Sequence, residues 1–235
     1  MNTFDYEIIK FINQFSTQSW AFDKIIGFLP GHGLYKGGVL AALLWWAWFK
    51  DKDGSMNNRA RVISTLLSCV IAVLVGRLLA LTLPFRLRPI HNESLHFLLP
   101  YDMDPTVLEG WSAFPSDHAV LFFTIAMGLF FISRPIGVVA LIYTALINGF
   151  ARVYLGLHYP SDVIAGAMIG IGIAFLGNIY LVRSKMVRLI VEWSHRKPHL
   201  FYPVFFLLTY QISELFLCGR ATASGLKELI EKIIG

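Results

Sequence analysis

The chain has 235 residues, of which 56% are hydrophobic and 15% charged, with a formal net charge of +5. So apolar a composition excludes a soluble globular or disordered chain, and the length suits one all-α membrane domain over 1–235 with no separate soluble module. The positive excess falls between apolar segments, where lipid headgroups and topology account for it better than nucleic acid, and the two cysteines, Cys69 and Cys218, lie inside apolar segments and imply no disulfide framework.

In chain order, residues 1–30 place Phe4, Ile8, Ile9, Phe11, Ile12 and Phe15 at helical spacing among Asp5, Glu7 and Lys10. This pattern predicts an amphipathic helix lying in the membrane interface, followed by an apolar turn around Phe22 to Leu29. It lacks the basic start and small-residue cleavage site of a signal peptide, so it is expected to stay on the mature protein. About six spans follow, at about 33–49, 61–83, 118–132, 136–153, 161–182 and 200–217. The first ends in Trp45, Trp46 and Trp48, read as an interfacial belt. Ser133-Arg134-Pro135 forces a tight turn between the third and fourth, and Gly166, Gly170, Gly172 and Gly177 in the fifth permit close helix approach. The expected catalytic core is 33–182. Residues 183–235 read as a basic loop, an extra span and a tail with an amphipathic stretch from Leu226 to Ile234.

Basic residues gather at Lys50, Lys52, Arg59 and Arg61, at Arg134, and at Arg183, Lys185, Arg188, Arg196 and Lys197. These stretches alternate with the spans so as to share one face, which the positive-inside rule makes cytoplasmic. The loop from Pro84 to Asp117, with Glu93, Asp102, Asp104 and Glu109, is then outside, as is the segment around His158. The protein is therefore expected in the inner, cytoplasmic membrane with its site on the extracytoplasmic face.

That site is read from Ala151-Arg-Val-Tyr-Leu-Gly-Leu-His-Tyr-Pro-Ser-Asp162 and Pro115-Ser-Asp-His118. If the chain turns helical at Pro160, Asp162 can reach His158 and fix its tautomer, leaving the other ring nitrogen free to attack. Arg152 can fold back across Gly156 to grip a phosphoryl group through two oxygens. Arg88 adds a second full charge and Ser116 a hydroxyl, and two helix N-termini supply amide donors where phosphate charge would sit. Each piece has a bland counterpart: Arg88-Pro89 as an interfacial anchor, Pro115-Ser116-Asp117 as a capping turn, His158 and Asp162 as a structural pair. Together at a membrane edge they favour function. For Arg77 and Arg86 the bland reading is preferred, Asp117 reads equally as cap or site, and His91 and His96 read as loop surface.

The three segments resemble the type 2 phosphatidic acid phosphatase superfamily, whose pattern is Lys-x6-Arg-Pro, Pro-Ser-Gly-His and Ser-Arg-x5-His-x3-Asp. Here they stand as Arg88-Pro89, Pro115-Ser116-Asp117-His118 and Arg152-x5-His158-x3-Asp162, a motif region of about 77–162. The resemblance implies His158 as a nucleophile forming a phosphohistidine, Asp162 as its orienting partner, and His118 as the acid that protonates the departing oxygen and later activates water. Arg88, Ser116 and Arg152 resemble the phosphate binders, with Asp117 beside them. No cofactor and no metal is implied; a zinc or iron triad is disfavoured because the arginines would repel a divalent cation. Three departures stand out: Leu81 replaces the family lysine, Asp117 the glycine and Ala151 the serine. The version with aspartate and no lysine is similar to bacterial undecaprenyl diphosphate phosphatases of the bacitracin-resistance type.

The expected function is removal of the terminal phosphate from a lipid diphosphate, undecaprenyl diphosphate first, with lipid substrate and membrane lipids as partners. Alternatives are a phosphatase for phosphatidic acid, phosphatidylglycerophosphate or lipid A, a lipid-to-lipid phosphotransferase, and a non-enzymatic lipid-binding or transport protein.

Overall fold

The computed structural model describes residues 2–50 and 57–215. Lys52, Cys218, the stretch from Leu226 to Ile234 and the last residues of the sixth expected span lie outside them. All regular structure among the described residues is helical. The helices are α1 (Thr3–Asn13), α2 (Trp20–Gly31), α3 (Val39–Phe49), α4 (Asn57–Thr82), α5 (Asp117–Ile132), α6 (Arg134–Thr144), α7 (Ala151–Tyr154), α8 (Pro160–Tyr180), α9 (Lys185–Arg196) and α10 (Pro198–Ser213). A π-helical turn, Leu34–Gly38, leads into α3, and another, Ala145–Phe150, joins α6 to α7.

Among the described residues each expected span is helical over all but a residue or two at its ends, and three helices are long and apolar enough to cross a membrane: Asn57–Thr82, the continuous run Arg134–Tyr154, and Pro160–Tyr180. The others are shorter; α5 and α10 have 16 residues each. α5 is apolar on every side because it is the centre of the bundle, packed by α3, α4, α6 and α8. Leu121, Phe122, Ile125 and Leu129 of α5 meet Leu40 and Leu44 of α3 and Leu66 of α4 in one core, to which α10 adds Phe201 and Phe205.

Three expectations need correction. The tryptophans form no uniform belt, because Trp48 is wholly buried and donates to the Tyr202 hydroxyl at 3.2 Å, and Trp45 donates to Thr209 Oγ1 at 3.1 Å. α10 takes up their N–H groups, and Trp46 faces outward. The basic stretch after α8 is not a loop but the amphipathic helix α9, which buries Val187 and Val191 in the core and leaves Met186 and Leu189 exposed. Finally, α1 does more than float at an interface. Phe4, Phe11 and Phe15 are exposed, but Ile9 packs on Val153 and Tyr159, and Asp5 is buried in the protein.

Glycines decide how closely α8 approaches α5. A Cβ on Gly166 would stand 2.8 Å from the Ser116 carbonyl oxygen, and one on Gly170 would run into the carbonyl oxygen of Val120. The approach lets Thr124 Oγ1 donate to the Gly170 carbonyl at 3.1 Å. Gly172 differs, with open space where a Cβ would go. Gly170→Ala is therefore expected to force the two helices apart at a cost of about 1–3 kcal/mol. Gly172→Ala should leave the melting temperature in detergent near the parent value; equal losses in the two variants would show that the contact is unimportant.

Candidate active site

The site forms where the starts of α5 and α8, the turn after α7 and the loop after α4 meet. α7 ends at Tyr154, and Gly156 adopts a left-handed conformation (φ 68°) that reverses the chain. A side chain there would also strike the Phe97 ring, 2.7 Å from a built Cβ. The reversal directs the Leu157 and His158 N–H groups back to the Arg152 carbonyl. α8 then begins with Pro160 at its first position, and Asp162, in the first turn, accepts the Tyr159 N–H at 2.8 Å. The Ser116 N–H donates to the Asp162 carbonyl at 3.3 Å, which ties the segment of His118 to the segment of His158.

His158 is buried, at 3% exposure. Its Nδ1 lies 2.8 Å from the Ala113 carbonyl oxygen, an acceptor, so that nitrogen carries the hydrogen. Nε2 then presents its lone pair towards Arg88, whose Nη1 is 3.4 Å away. Asp162 was expected to hold the imidazole, but its Oδ2 is 3.9 Å from Nδ1, beyond hydrogen-bond reach. The carbonyl of Ala113 takes that place because the Asp162 oxygens are engaged by Tyr159 and Arg86. Burial, and then the charges of Arg88 and Arg152, hold the His158 pKa well below the ordinary imidazole value, against the opposing Ala113 bond. Burial and the two guanidiniums thus favour the neutral ring.

Arg88 is fixed through all three nitrogens: Nε to the Trp111 carbonyl at 3.1 Å, Nη2 to Ser112 at 3.1 Å and Nη1 to Leu157 at 2.6 Å. Burial lowers its pKa to about 10, partly opposed by Asp117 and Asp162, so it remains charged near neutrality. Arg152 is buried as well; Nη2 donates to the Pro30 carbonyl at 3.1 Å, and Nε has no partner among the described residues. A buried donor of this kind calls for an acceptor, and a phosphoryl oxygen or a water meets the need. Ser116 is fully buried and caps α5, its Oγ accepting from the Ala119 N–H at 3.4 Å. His118 is half-buried on the first turn of α5, with its ring 6.1 Å from that of Phe122. Asp117 is in an ion pair with Arg77 at 3.3 Å. Leu81, which stands where the family has lysine, is 83% exposed and takes no part. His91 and His96 line a separate cavity of about 570 Å³ in the loop between α4 and α5.

Asp5 escaped the sequence reading, and Arg86, for which the bland reading was preferred, stands with it beside the candidate site. Arg86 forms ion pairs with Asp162 and, at 2.6 Å, with Asp5, and donates to Ser161 Oγ at 2.9 Å. Asp5 also accepts the Ser161 N–H at 2.9 Å and its hydroxyl at 2.6 Å. The chain Asp5–Arg86–Asp162 thus links α1 to the turn that carries His158. Its one trace in the sequence is an aspartate in the first turn of an amphipathic helix, which nothing local pairs with position 86. Asp5→Ala leaves Arg86 short of one carboxylate and Ser161 short of an acceptor, but Arg86 is partly exposed and keeps Asp162, so the cost is about 1–3 kcal/mol. The expected result is a lower melting temperature and a fall in turnover with the substrate KM nearly unchanged; unaltered stability and turnover would show that α1 is dispensable.

Residues 61–185 match the PAP2 superfamily, and the chain belongs to that family. It is 27% identical to undecaprenyl-diphosphatase BcrC of Bacillus subtilis over 172 residues, covering 73% of this chain and 81% of the relative. It is 33% identical to an undecaprenyl-diphosphatase of Sulfolobus acidocaldarius over 48% of this chain and 52% of the relative. It is 38% identical to lipid A 4'-phosphatase of Bacteroides thetaiotaomicron over 36% and 38%. No solved structure matches the chain significantly. The chain is a membrane protein and a lipid phosphatase.

Proposed function

We propose that this member of the PAP2 superfamily hydrolyses a polyprenyl diphosphate of the undecaprenyl type at the extracytoplasmic face of the cytoplasmic membrane, through a phosphohistidine on His158. The observation that carries the reading is the setting of His158: buried, with Nδ1 engaged by Ala113 and Nε2 turned to a guanidinium that already donates to three carbonyls. Undecaprenyl diphosphatases among the relatives support the substrate class. In the proposed sequence Nε2 attacks the terminal phosphorus and the bond to the bridging oxygen breaks, its electron pair leaving with the polyprenyl monophosphate. His118 gives that oxygen its proton. A water that returns a proton to His118 then displaces phosphate from His158. Arg88, Arg152 with its Nε, and Ser116 bind the equatorial oxygens as charge grows on them.

The basic stretches support the assignment of faces. Arg61 at the start of α4 bonds to the Phe131 carbonyl at the end of α5, and Arg59 reaches His195 of α9, so these residues collect at the end of the bundle away from His158. Because His158 reacts as the neutral ring and its pKa is held down, lowering the pH should inactivate it only below the usual imidazole value of about 6.5. The acid limb of kcat/KM is expected there; a limb at or above that value would place the titration elsewhere.

Similarity to a lipid A 4'-phosphatase favours one second reading, a lipid monophosphatase. Phosphate release by the purified protein from undecaprenyl diphosphate, phosphatidic acid, phosphatidylglycerophosphate and lipid A, with and without an added lipid acceptor, separates the two. Preference for the diphosphate is expected. Release from lipid A alone would replace the substrate, transfer to the acceptor would make the enzyme a phosphotransferase, and no release from any would overturn the proposal.

A further inference from the structure

Four arginines surround the site, and they are held in different ways. Arg86 is saturated by Asp5, Asp162 and Ser161. Arg88 is pinned to backbone carbonyls, and Arg152 is buried against that of Pro30. Arg77 differs: its side chain is 28% exposed, its Nη1 sits 3.3 Å from Asp117 Oδ2, and its guanidinium stacks 4.5 Å from the centre of the Trp111 ring. Trp111 is shared, since its carbonyl accepts from Arg88 Nε. The two guanidiniums therefore stand on opposite parts of one residue. Arg77 also comes near the end of α4, flanked along the helix by Leu74 and Leu78, both exposed. From His158 the contacts run to Arg88, from Arg88 to Trp111 and from Trp111 to Arg77, which stands beside the exposed leucines.

A lipid diphosphate has the same order: the phosphate to be removed, the phosphate retained, the tail. We propose that Arg77 is the binding group for the retained, lipid-proximal phosphate, and that Asp117 is its counter-ion in the unliganded enzyme, displaced when the diphosphate enters. This rests on the diphosphatase reading above and adds to it the residue that tells diphosphate from monophosphate. Charge supports it. Arg86 is already taken up by two carboxylates, Asp5 and Asp162, so Arg88 and Arg152 are the cations left to meet the terminal phosphoryl group, and a diphosphate carries further charge that Arg77 can neutralise once Asp117 releases it. α4 passes close to the start of α5 at Gly76, where a Cβ would lie 3.7 Å from Asp117 Oδ1, and this approach brings the neighbouring Arg77 within reach of Asp117. As the bridging P–O bond breaks, charge accumulates on the departing monophosphate, and a guanidinium beside it lowers that barrier too.

The test uses the full-length enzyme in detergent, with two readouts. In turnover, Arg77→Gln is expected to lower kcat/KM for farnesyl diphosphate about 10- to 100-fold, the worth of one charge-assisted contact, and to leave farnesyl monophosphate within about twofold. Arg77→Lys should recover part of the loss, and Asp117→Asn should tighten inhibition by inorganic pyrophosphate. In binding, farnesyl methylenediphosphonate should bind Arg77→Gln about tenfold more weakly, with the farnesyl monophosphonate unchanged. Equal losses for the one- and two-phosphorus ligands, or none, would overturn the proposal. If the parent enzyme hydrolyses neither substrate, the diphosphatase reading fails, and the binding comparison alone decides whether Arg77 recognises a second phosphate.

Discussion

His158→Ala is expected to lower phosphate release from a lipid diphosphate by about 10,000-fold or more, the scale on which enzymes lose activity when a nucleophile is removed. The substitution takes away the nitrogen proposed to attack and leaves the Ala113 carbonyl without its donor. Loss of that buried hydrogen bond costs about 1–3 kcal/mol, a modest effect on the fold beside the catalytic one. The variant should therefore still be extracted as a folded protein with a measurable melting temperature. His118→Ala should behave differently. If it only donates and accepts protons, its loss should cost about 100- to 10,000-fold and should fall most on the second step, so phosphate accumulates on the enzyme. Similar rates for His158→Ala and the parent would remove His158 from the mechanism.

Arg88→Lys is the second large effect. Arginine here donates through Nε and both terminal nitrogens to three carbonyls in fixed directions, which aims the remaining face of the guanidinium at His158. An ammonium keeps the charge but cannot span the carbonyls of Trp111, Ser112 and Leu157 together. A loss of about 100- to 1,000-fold in kcat/KM is expected, comparable to removing an oxyanion-stabilising donor. Arg88→Ala should be no more than about tenfold worse, because the geometry rather than the charge is already gone. A lysine variant with near-parent activity would show that position 88 needs only a positive charge.

The order of apolar segments, the tight turn at Arg134 and Pro135 and the close approach at Gly166 and Gly170 were legible in the sequence because each depends on local pattern or on side-chain size. So was the grouping of Arg88, Ser116, Arg152 and His158 at one end of the bundle. What was not legible depends on partners distant in the chain or on backbone atoms. The group holding Nδ1 of His158 is the carbonyl of Ala113, an atom that every residue type carries, so composition gives no hint of it. Asp162 looked like the orienting carboxylate by its spacing, yet Arg86 and the Tyr159 N–H occupy its oxygens. Asp5 reads as a polar residue of an interfacial helix until α1 folds over Arg86. α9 was hidden by its charge, since Lys185, Arg188 and Arg196 made a helix with a buried apolar stripe look like a loop.

A phosphorylated-enzyme trap tests the central claim most directly. The His118→Ala enzyme is mixed with a radiolabelled lipid diphosphate, quenched in alkali, digested and mapped. The account predicts base-stable, acid-labile label on the peptide carrying residue 158, absent when His158 is also replaced. Label on another residue, or turnover by this variant with no labelled enzyme at any time, would contradict it.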